Sequence, residues 1–430
     1  MSKRFDKFLY WFKLLSKFVS VQLIVQFIGA VSGFILIRTL SKEDFAYFTI
    51  ANSMQAVMNI LADSGVGVGL SAIGGKVWQD RYRFGQLINT AMELRRWFAL
   101  ISVIIVTPIM IWLLISNNAS ITYTLFITVA VLVELHFYLE IAVLGTIPRL
   151  HSQINFIQYL DFVTVISRLI LLVTAYLFYL NAAVATFIST LASGLQAFLL
   201  KRNISDKIDT EAKISHEDRK YVLGLVKNLL PSAIFYSIQG QLTVVLISLF
   251  GNTQQVAEVG ALGRLAILFS VINSVMSSIV LPSFARCQSV TLLRKRYIHI
   301  ILSFIGIGAI LLVVTAIFPK QLLWILGNKY SNLEKELFWM MGGSVVANIG
   351  GVMWSLCSVK GWVEKVWIEI PIRIFIQIIM LIIVDISTVR GVLIFSFISS
   401  FPPIIISGWL ADRGLKLAKA NSKLFSNKDV

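Results

Sequence analysis

The chain has 430 residues, of which 57% are hydrophobic and only 14% are charged, and its mean hydropathy is +0.81. An ordinary soluble domain is about 25% charged and cannot bury so much apolar surface, so the composition excludes a soluble globular protein and predicts an integral membrane protein. The formal net charge of +16 would favour nucleic-acid binding in a soluble protein, but in a membrane protein it indicates on which side each loop lies.

The first segment, residues 1–17, is rich in lysine and aromatic residues. It leads into an apolar stretch of about 20 residues, which is longer than a signal-peptide core and lacks a small-residue cleavage site, so we expect the segment to be retained. Its aromatic residues fall at helical spacing opposite its lysines, which indicates an interfacial helix on the inner leaflet. A basic flank that follows the positive-inside rule is an equally good interpretation.

Twelve apolar runs follow, each long enough to cross a hydrocarbon core of roughly 30 Å as a helix. They cover residues 18–37, 45–73, 98–115, 121–144, 157–180, 182–200, 229–250, 256–281, 298–318, 337–357, 366–385 and 392–411. Pro402 and Pro403 predict a kink in the last run. The sequence therefore predicts an all-α polytopic membrane protein with twelve transmembrane helices.

The basic residues are distributed unequally between the two sides of this arrangement. If the N-terminus lies in the cytoplasm, 29 of the 38 Lys and Arg residues fall in inward segments and six fall in outward loops. The remaining three lie inside predicted helices. Because cytoplasmic loops carry an excess of Lys and Arg, this asymmetry predicts that both termini of this multi-pass protein are cytoplasmic.

The two halves of the chain share one pattern. A shift of 211 residues aligns the segment FIGAVSGFILIRTLSKEDFAYF with the segment IQGQLTVVLISLFGNTQQVAEV, pairing Gly29 with Gly240 and Ala46 with Ala257. Both segments read as an apolar helix, a short polar turn and a new helix, at the same helix number in each half. Because each half crosses the membrane an even number of times, the two halves are predicted to be parallel repeats.

This repeat predicts the domain organisation. An interfacial N-terminal segment, residues 1–17, precedes a first lobe, residues 18–200. A cytoplasmic linker, residues 201–228, leads to a second lobe, residues 229–411, and a cytoplasmic tail, residues 412–430, ends the chain. We expect two pseudo-symmetric six-helix lobes around a central cavity, which is a transporter architecture.

Several charged residues lie inside the predicted helices: Glu134, Glu140, Asp161, Arg168, Arg264, Glu369 and Arg373. A charge at the centre of a bilayer costs about 2.5–3.5 kcal/mol even on lenient insertion scales, so such residues face a cavity or a partner. Glu134 and Arg168 lie at comparable depth in adjacent predicted helices. These two residues could form a structural ion pair with each other, or they could contact the substrate, and the sequence does not distinguish the two.

Two arginines in the second half differ in their surroundings. Arg373 lies four residues after Glu369, which predicts a local ion pair on one helix face. Arg264 has its nearest acid, Glu258, six positions away on a different face. We expect Arg264 to bind phosphate oxygens as a cavity-facing cation, with a cross-helix structural pair as the alternative.

Catalytic motifs are absent from the sequence. It contains no HExxH, GxSxG or GxxxxGK[ST] pattern, and its four histidines do not cluster with Cys287 and Cys357. We therefore expect no enzymatic activity, no cofactor and no metal site. The longest outward loop, residues 319–336, is short for the active site of a membrane glycosyltransferase.

Two motifs are typical of a known family. The turn after the first helix reads RTLSKEDFAYF, residues 38–48, and the second helix contains ADSGVGVGL, residues 62–70. Over essentially the whole chain, these motifs and the helix pattern resemble polysaccharide exporters and O-antigen flippases of the multidrug/oligosaccharidyl-lipid/polysaccharide flippase (MOP) superfamily. The matching positions are Arg38, Leu40, Phe45, Phe48, Asp63 and Gly65. Departures occur at Ser41, Lys42 and Ala46, where the family usually has Gly, Pro and Gly.

The resemblance implies a flippase without a cofactor. Its expected substrate is an undecaprenyl-pyrophosphate-linked oligosaccharide, which would cross the bacterial inner membrane by alternating access of the two lobes. Further expected partners are membrane lipids, a coupling proton or sodium ion and other glycan-assembly proteins, but no nucleic acid. The candidates for substrate binding are Arg264, Arg168, Arg38 and Arg373. The candidates for ion coupling are Glu134, Glu140, Asp161 and Asp63.

Two other functions compete with this interpretation. An ion-coupled multidrug exporter of the same superfamily is the first, but cationic drugs favour an apolar or acidic cavity and this chain offers arginines at depth. A membrane glycosyltransferase or polymerase is the second, and the short outward loops disfavour it.

Overall fold

The computed structural model of the protein describes residues 2–204, 206–287, 289–363 and 366–426. These residues form helices joined by short turns, and no β-strand occurs among them. The predicted all-α polytopic fold is therefore confirmed.

Ten helices cover the first part of the chain. They are α1 (Ser2–Thr39), α2 (Lys42–Asp63), α3 (Val66–Val77), α4 (Arg81–Ser116), α5 (Ile121–Leu144), α6 (Thr146–Leu150), α7 (Ile154–Phe178), α8 (Ala182–Ile204), α9 (His216–Phe250) and α10 (Thr253–Arg264).

Eight α-helices follow, together with three short irregular turns of helix. The α-helices are α11 (Ile267–Val275), α12 (Leu281–Ala285), α13 (Val290–Ile317), α14 (Pro319–Leu326), α15 (Glu334–Val359), α16 (Glu369–Ile383), α17 (Val389–Ser399) and α18 (Pro402–Ser426). A π-helical turn covers Met276–Val280, and 3₁₀ turns cover Asn328–Tyr330 and Val366–Ile368.

Ten segments of the described chain are long and apolar enough to cross a membrane, or eleven if the bent pair α2–α3 forms one span. Each of the twelve predicted runs contains at least one helix. The run at 366–385 forms α16, which has only 15 residues and is shorter than the roughly 20 residues of a full transmembrane helix.

Three of the predicted runs are interrupted rather than continuous. The axis bends by 46° between α2 and α3, where Ser64 and Gly65 adopt left-handed conformations with φ of 39° and 96°. The run at 256–281 is split between α10 and α11, and the run at 392–411 is split just before Pro402, at the prolines where a kink is predicted. Helical periodicity in the sequence does not reveal the breaks at 45–73 and 256–281, because it persists across a single turn of irregular backbone.

Helices α4 and α9 are longer than their apolar runs. They have 36 and 35 residues, which at 1.5 Å per residue correspond to more than 50 Å, well beyond a hydrocarbon core of roughly 30 Å. Their polar ends are joined by Arg83, whose guanidinium donates to both carboxylate oxygens of Asp218 at 2.5 and 2.6 Å. The polar stretch expected as a linker, residues 201–228, contains the first turns of α9, which begins at His216.

The chain divides into two compact units. The first comprises Ser16–Gly260, and its main core packs Leu70, Phe84, Val143 and Val222 from α3, α4, α5 and α9. This unit contains α9 and most of α10 in addition to the six runs of the predicted first lobe. The lobe boundaries stay a prediction.

The second unit runs from Ala261 onward and also includes the first turns of α1, up to Leu15. Its core packs Phe284, Leu293, Leu356 and Leu410, which come from α12, α13, α15 and α18. Residues from both ends of this part of the sequence therefore meet in one apolar cluster, which holds the unit together.

Gly85 in α4 provides a test of the contact between α4 and the segment after α8. A Cβ at Gly85 would lie 2.2 Å from the carbonyl oxygen of Asp209, a backbone atom that cannot rotate away. We expect Gly85→Ala to lower the free energy of unfolding by about 1–3 kcal/mol through this overlap. Thermal unfolding of the purified protein in detergent measures the effect.

Gly75→Ala is the matched control, because Gly75 is also helical and a Cβ there would meet nothing within 4 Å. Its expected effect is a gain of about 0.5–1 kcal/mol from helix propensity. Equal melting temperatures for the two variants would contradict the close approach.

Candidate functional site

A cluster of polar side chains lies inside the first unit, with one residue from each of four helices. Gln55 comes from α2, Glu134 from α5, Arg168 from α7 and Ser193 from α8. The side chains of Gln55, Arg168 and Ser193 all lie beside the Glu134 carboxyl group. Gln55 is only 6% exposed. We call these four residues the central cluster.

Helix packing explains why these residues meet. Helix α8 packs against both α5 and α7, and α2 packs against α5 and α8. Each of the four residues lies near the middle of its helix; Glu134 and Arg168 are 13 and 14 residues from their helix starts, which corresponds to about 20 Å along the axis. The central cluster therefore lies at mid-membrane depth.

Arg168 has an incomplete set of partners within the described chain. Glu134 is its nearby opposite charge. Within the described ranges, however, no carboxylate lies at salt-bridge distance from the Arg168 guanidinium, and its buried Nε atom has no hydrogen-bond partner. The structure thus brings Glu134 and Arg168 together without a direct ion pair. A guanidinium in this state retains N–H groups that can bind an anion.

A second polar group lies two turns from Arg168 on the same helix. The Asp161 carboxylate accepts a hydrogen bond of 3.2 Å from the Gln196 amide, and Arg149 lies nearby. Asp161 and Arg168 are seven residues apart in α7, so they share a helix face. Polar groups therefore extend along α7 from the central cluster toward its N-terminal end.

Glu140, another candidate for ion coupling, has close basic neighbours. Its carboxylate is 2.5 Å from the Lys201 amine and 3.4 Å from His136 Nε2, and the residue is 5% exposed. Lys201 therefore balances its charge in this structure.

Asp63 forms an ion pair with Arg95, a residue that the sequence analysis assigned to a loop. The Asp63 carboxylate also accepts a hydrogen bond of 3.0 Å from the backbone N–H of Gly67, and Tyr138 lies beside the pair. Arg95 is 4% exposed and lies well inside α4, which begins at Arg81 rather than at residue 98.

A local signal for Arg95 existed in the sequence. Asp80 caps α4 by accepting from the backbone N–H of Arg83, and apolar residues then recur with helical spacing through the segment taken as a loop. These buried residues are Phe84, Leu87, Ile88, Ala91 and Leu94. They do not form a long apolar run, because polar residues are interspersed.

The remaining arginine candidates lie apart from the central cluster in the sequence. Arg38 is exposed at the end of α1. In the second unit, Arg264 is partly exposed and is the last residue of α10. Arg373 lies 3.6 Å from Glu369 in α16, which confirms the local pair expected from their spacing.

The turn between α1 and α2 has a structural role at several positions. Leu40, Phe45 and Phe48 are almost completely buried. Asp44 accepts a hydrogen bond of 2.5 Å from the Tyr123 hydroxyl and lies 3.3 Å from the backbone nitrogen of Ala182, joining α2 to the starts of α5 and α8. The apolar residues of this motif thus form core contacts rather than a binding surface.

Lys42 makes a contact that the sequence did not indicate. Its amine lies 2.8 Å from the Glu258 carboxylate of α10. Nearby, the Thr253 hydroxyl donates to the backbone oxygen of Asn117 at 2.9 Å. Polar contacts therefore join α2, α10 and the end of α4 within the first unit. These helix ends are the ones that the loop charges predict to face outward.

Neither a protein-family model nor a curated protein matches the sequence. Solved structures do match. An inward-facing multidrug resistance MATE family transporter of the MOP superfamily is 17% identical, with a TM-score of 0.72 over 94% of this chain and 99% of the other. The lipid II flippase MurJ in an inward closed conformation is 13% identical, with a TM-score of 0.68 over 95% and 90%.

This chain has the fold of MOP superfamily transporters. A third similar structure, a MOP superfamily transporter from Pyrococcus furiosus, is 16% identical with a TM-score of 0.62 over 94% of each chain; it is described as having a binding pocket of reverse polarity that suggests a different function. The expected superfamily fold is thus supported. The narrower assignment to polysaccharide exporters and O-antigen flippases is a proposal, since the fold is shared by transporters of different substrates.

The Asp63–Arg95 pair should respond unequally to removal of its two charges. Asp63→Asn leaves the buried Arg95 guanidinium without a counter-charge, and we expect a loss of about 3 kcal/mol in the free energy of unfolding. Arg95→Met leaves Asp63, whose side chain is 36% exposed, and should cost about 1 kcal/mol. Thermal unfolding in detergent measures both variants.

The double variant is the control for coupling. Combining Asp63→Asn with Arg95→Met should restore most of the stability lost in Asp63→Asn, because no unpaired buried charge remains. Strictly additive losses would show that the two side chains do not act as a pair.

Proposed function

We propose that this protein is a flippase that moves an undecaprenyl-pyrophosphate-linked oligosaccharide across the bacterial inner membrane by alternating access. The observation that carries the proposal is Arg168, a cation at mid-membrane depth whose buried Nε atom has no hydrogen-bond partner in the described chain. An arginine in that position has a large energetic cost unless a partner meets it, and a passing anion would complete the partners that Glu134 supplies only in part.

The chemistry of the central cluster matches a pyrophosphate headgroup. A guanidinium presents a planar set of N–H donors that bind phosphate oxygens bidentately. Gln55 and Ser193 add an amide and a hydroxyl group that exchange hydrogen bonds with sugar hydroxyls or phosphate oxygens. Glu134 balances the charge of Arg168 before the substrate arrives and is also our candidate for a coupling proton or sodium ion.

The physical task of such a flippase explains why a polar cluster is needed at this depth. A charged, hydroxyl-rich headgroup loses its hydration in hydrocarbon, at a cost of several kcal/mol for each polar group left without a partner. Side chains that replace water along the path lower this barrier, while the polyprenyl tail remains in the bilayer. The similar fold of a lipid II flippase supports a lipid-linked substrate.

A multidrug exporter is the second candidate, because a multidrug resistance transporter of the MATE family has the same fold. Deletion of the gene in its native host separates the two functions. Loss of a lipid-linked glycan exporter should cause undecaprenyl-pyrophosphate-linked glycan to accumulate and surface polymer to decrease. Increased sensitivity to cationic drugs with unchanged glycan would instead establish the multidrug exporter.

Arg168→Ala should reduce surface polymer roughly tenfold or more, because it removes charge-assisted hydrogen bonds to the pyrophosphate. Arg168→Lys should give intermediate export, since an ammonium group keeps the charge but not the bidentate geometry. Complementation of the deletion strain, with membrane levels of each variant measured by immunoblotting, provides the readout.

Arg202→Ala is the matched control, because Arg202 is an exposed arginine near the end of α8. It should export normally. Wild-type export by Arg168→Ala at normal membrane levels would refute the role of Arg168 in substrate binding.

Arg264 is a separate candidate for a pyrophosphate-binding cation. Its position at the C-terminal end of α10, where the predicted helix is interrupted, places a cation at the negative end of a helix dipole. We expect Arg264→Ala to abolish polymer export with normal membrane levels of protein. Export at the wild-type rate in the same complementation assay would exclude this assignment.

A further inference from the structure

A groove lies outside the central cluster, at the end of α4 that carries basic residues. One wall is the face of α4 from Asn89 to Leu100, and the other is the segment from Thr210 to Ile214. The groove has a volume of about 830 Å³. The amide of Asn89 donates to the backbone oxygens of Thr210 and Ala212 at 3.1 and 2.8 Å, which holds the second wall in place.

The groove is lined by charges of both signs. Arg96 and Lys213 are exposed, one on each wall. Glu93 also lines the groove, and one of its carboxylate oxygens, Oε1, lies 3.6 Å from the guanidinium of Arg219. The other oxygen, Oε2, is buried and has no hydrogen-bond partner within the described residues. A ligand that completes this site must supply a donor to Glu93 and an anion to the two cations.

The apolar part of the groove indicates where it lies relative to the membrane. Trp97 and Leu100 are 56% and 51% exposed and follow Glu93 and Arg96 toward the apolar run of α4. Tryptophan is enriched at membrane–water interfaces, and an exposed leucine one turn deeper contacts acyl chains. The charged part of the groove is therefore at headgroup level.

We propose that this groove binds a phospholipid with a primary ammonium headgroup, of the phosphatidylethanolamine type. The ammonium group pairs with the Glu93 carboxylate, whose side chain is 28% exposed. The phosphate contacts Arg96 and Lys213, and an acyl chain lies along Trp97 and Leu100. This lipid is a bound component of the protein rather than the transported substrate.

Charge complementarity selects this headgroup over the alternatives. A phosphatidylglycerol headgroup satisfies the two cations, but its glycerol hydroxyls offer Glu93 only neutral donors and no positive charge to balance the carboxylate. A phosphatidylcholine headgroup has no N–H donor and cannot hydrogen-bond the Glu93 carboxylate. A pyrophosphate headgroup carries more negative charge and no ammonium group, so the substrate proposed above does not match this groove.

Native mass spectrometry of the purified full-length protein tests the proposal. The protein in detergent is mixed with equimolar phosphatidylethanolamine, phosphatidylglycerol and phosphatidylcholine of the same acyl chains. We expect phosphatidylethanolamine to be retained preferentially. Glu93→Gln should reduce its retention roughly tenfold by removing the charge that pairs with the ammonium group.

Two further variants keep the result interpretable. Lys213→Gln lies on an exposed segment and should weaken phosphatidylethanolamine and phosphatidylcholine alike, since both share the phosphate. Glu217→Gln is the matched control, because Glu217 is an exposed acid near the start of α9 that does not line the groove. Its lipid retention should equal that of the wild type.

The proposal fails if the wild type retains phosphatidylglycerol as strongly as phosphatidylethanolamine. It also fails if Glu93→Gln, with a melting temperature like the wild type, keeps the preference for phosphatidylethanolamine. If Glu93→Gln melts early, unchanged retention in Lys213→Gln overturns the proposal on its own.

Discussion

A charge placed in the interior of a bilayer has to be met by the protein, because no water is available to solvate it. The described charges in the spanning helices follow this constraint in two ways. Glu140, Asp63 and Glu369 each have a basic side chain at salt-bridge distance from the carboxylate. Glu134 and Arg168 are near one another without a direct ion pair, and polar neighbours complete their surroundings. This difference separates structural pairs from the candidate site.

The same constraint applies to the backbone where a spanning helix is interrupted. Between α2 and α3 the Asp63 carboxylate accepts from the N–H of Gly67, which would otherwise lack a partner at the start of a helix. The carboxylate also pairs with Arg95, so one side chain satisfies a broken helix and a buried cation together. The bend of 46° thus depends on Asp63, on Arg95 and on the positive φ of Gly65.

The candidate site was predictable only in its charged members. Glu134 and Arg168 were predicted from the cost of burying a charge. That cost can be recognised in the sequence without knowing which side chains surround the charged residue. Gln55 and Ser193 gave no such signal, because uncharged polar residues are common in membrane helices. Arg95 was missed for a different reason: α4 extends 17 residues before the apolar run that was used to locate it, and that extension is amphipathic rather than uniformly apolar.

Composition, apolar runs and turn residues determined by themselves that this is an all-α membrane protein, where most of its helices lie and which charges are costly. These properties are local, since they depend on hydrophobicity and helical periodicity over about 20 residues. Only the tertiary structure decided that α8 packs between α5 and α7, that Gln55 and Ser193 join Glu134, and that α9 continues into the first compact unit. Such contacts depend on how helices cross and rotate against each other, and no periodicity along a single helix encodes that.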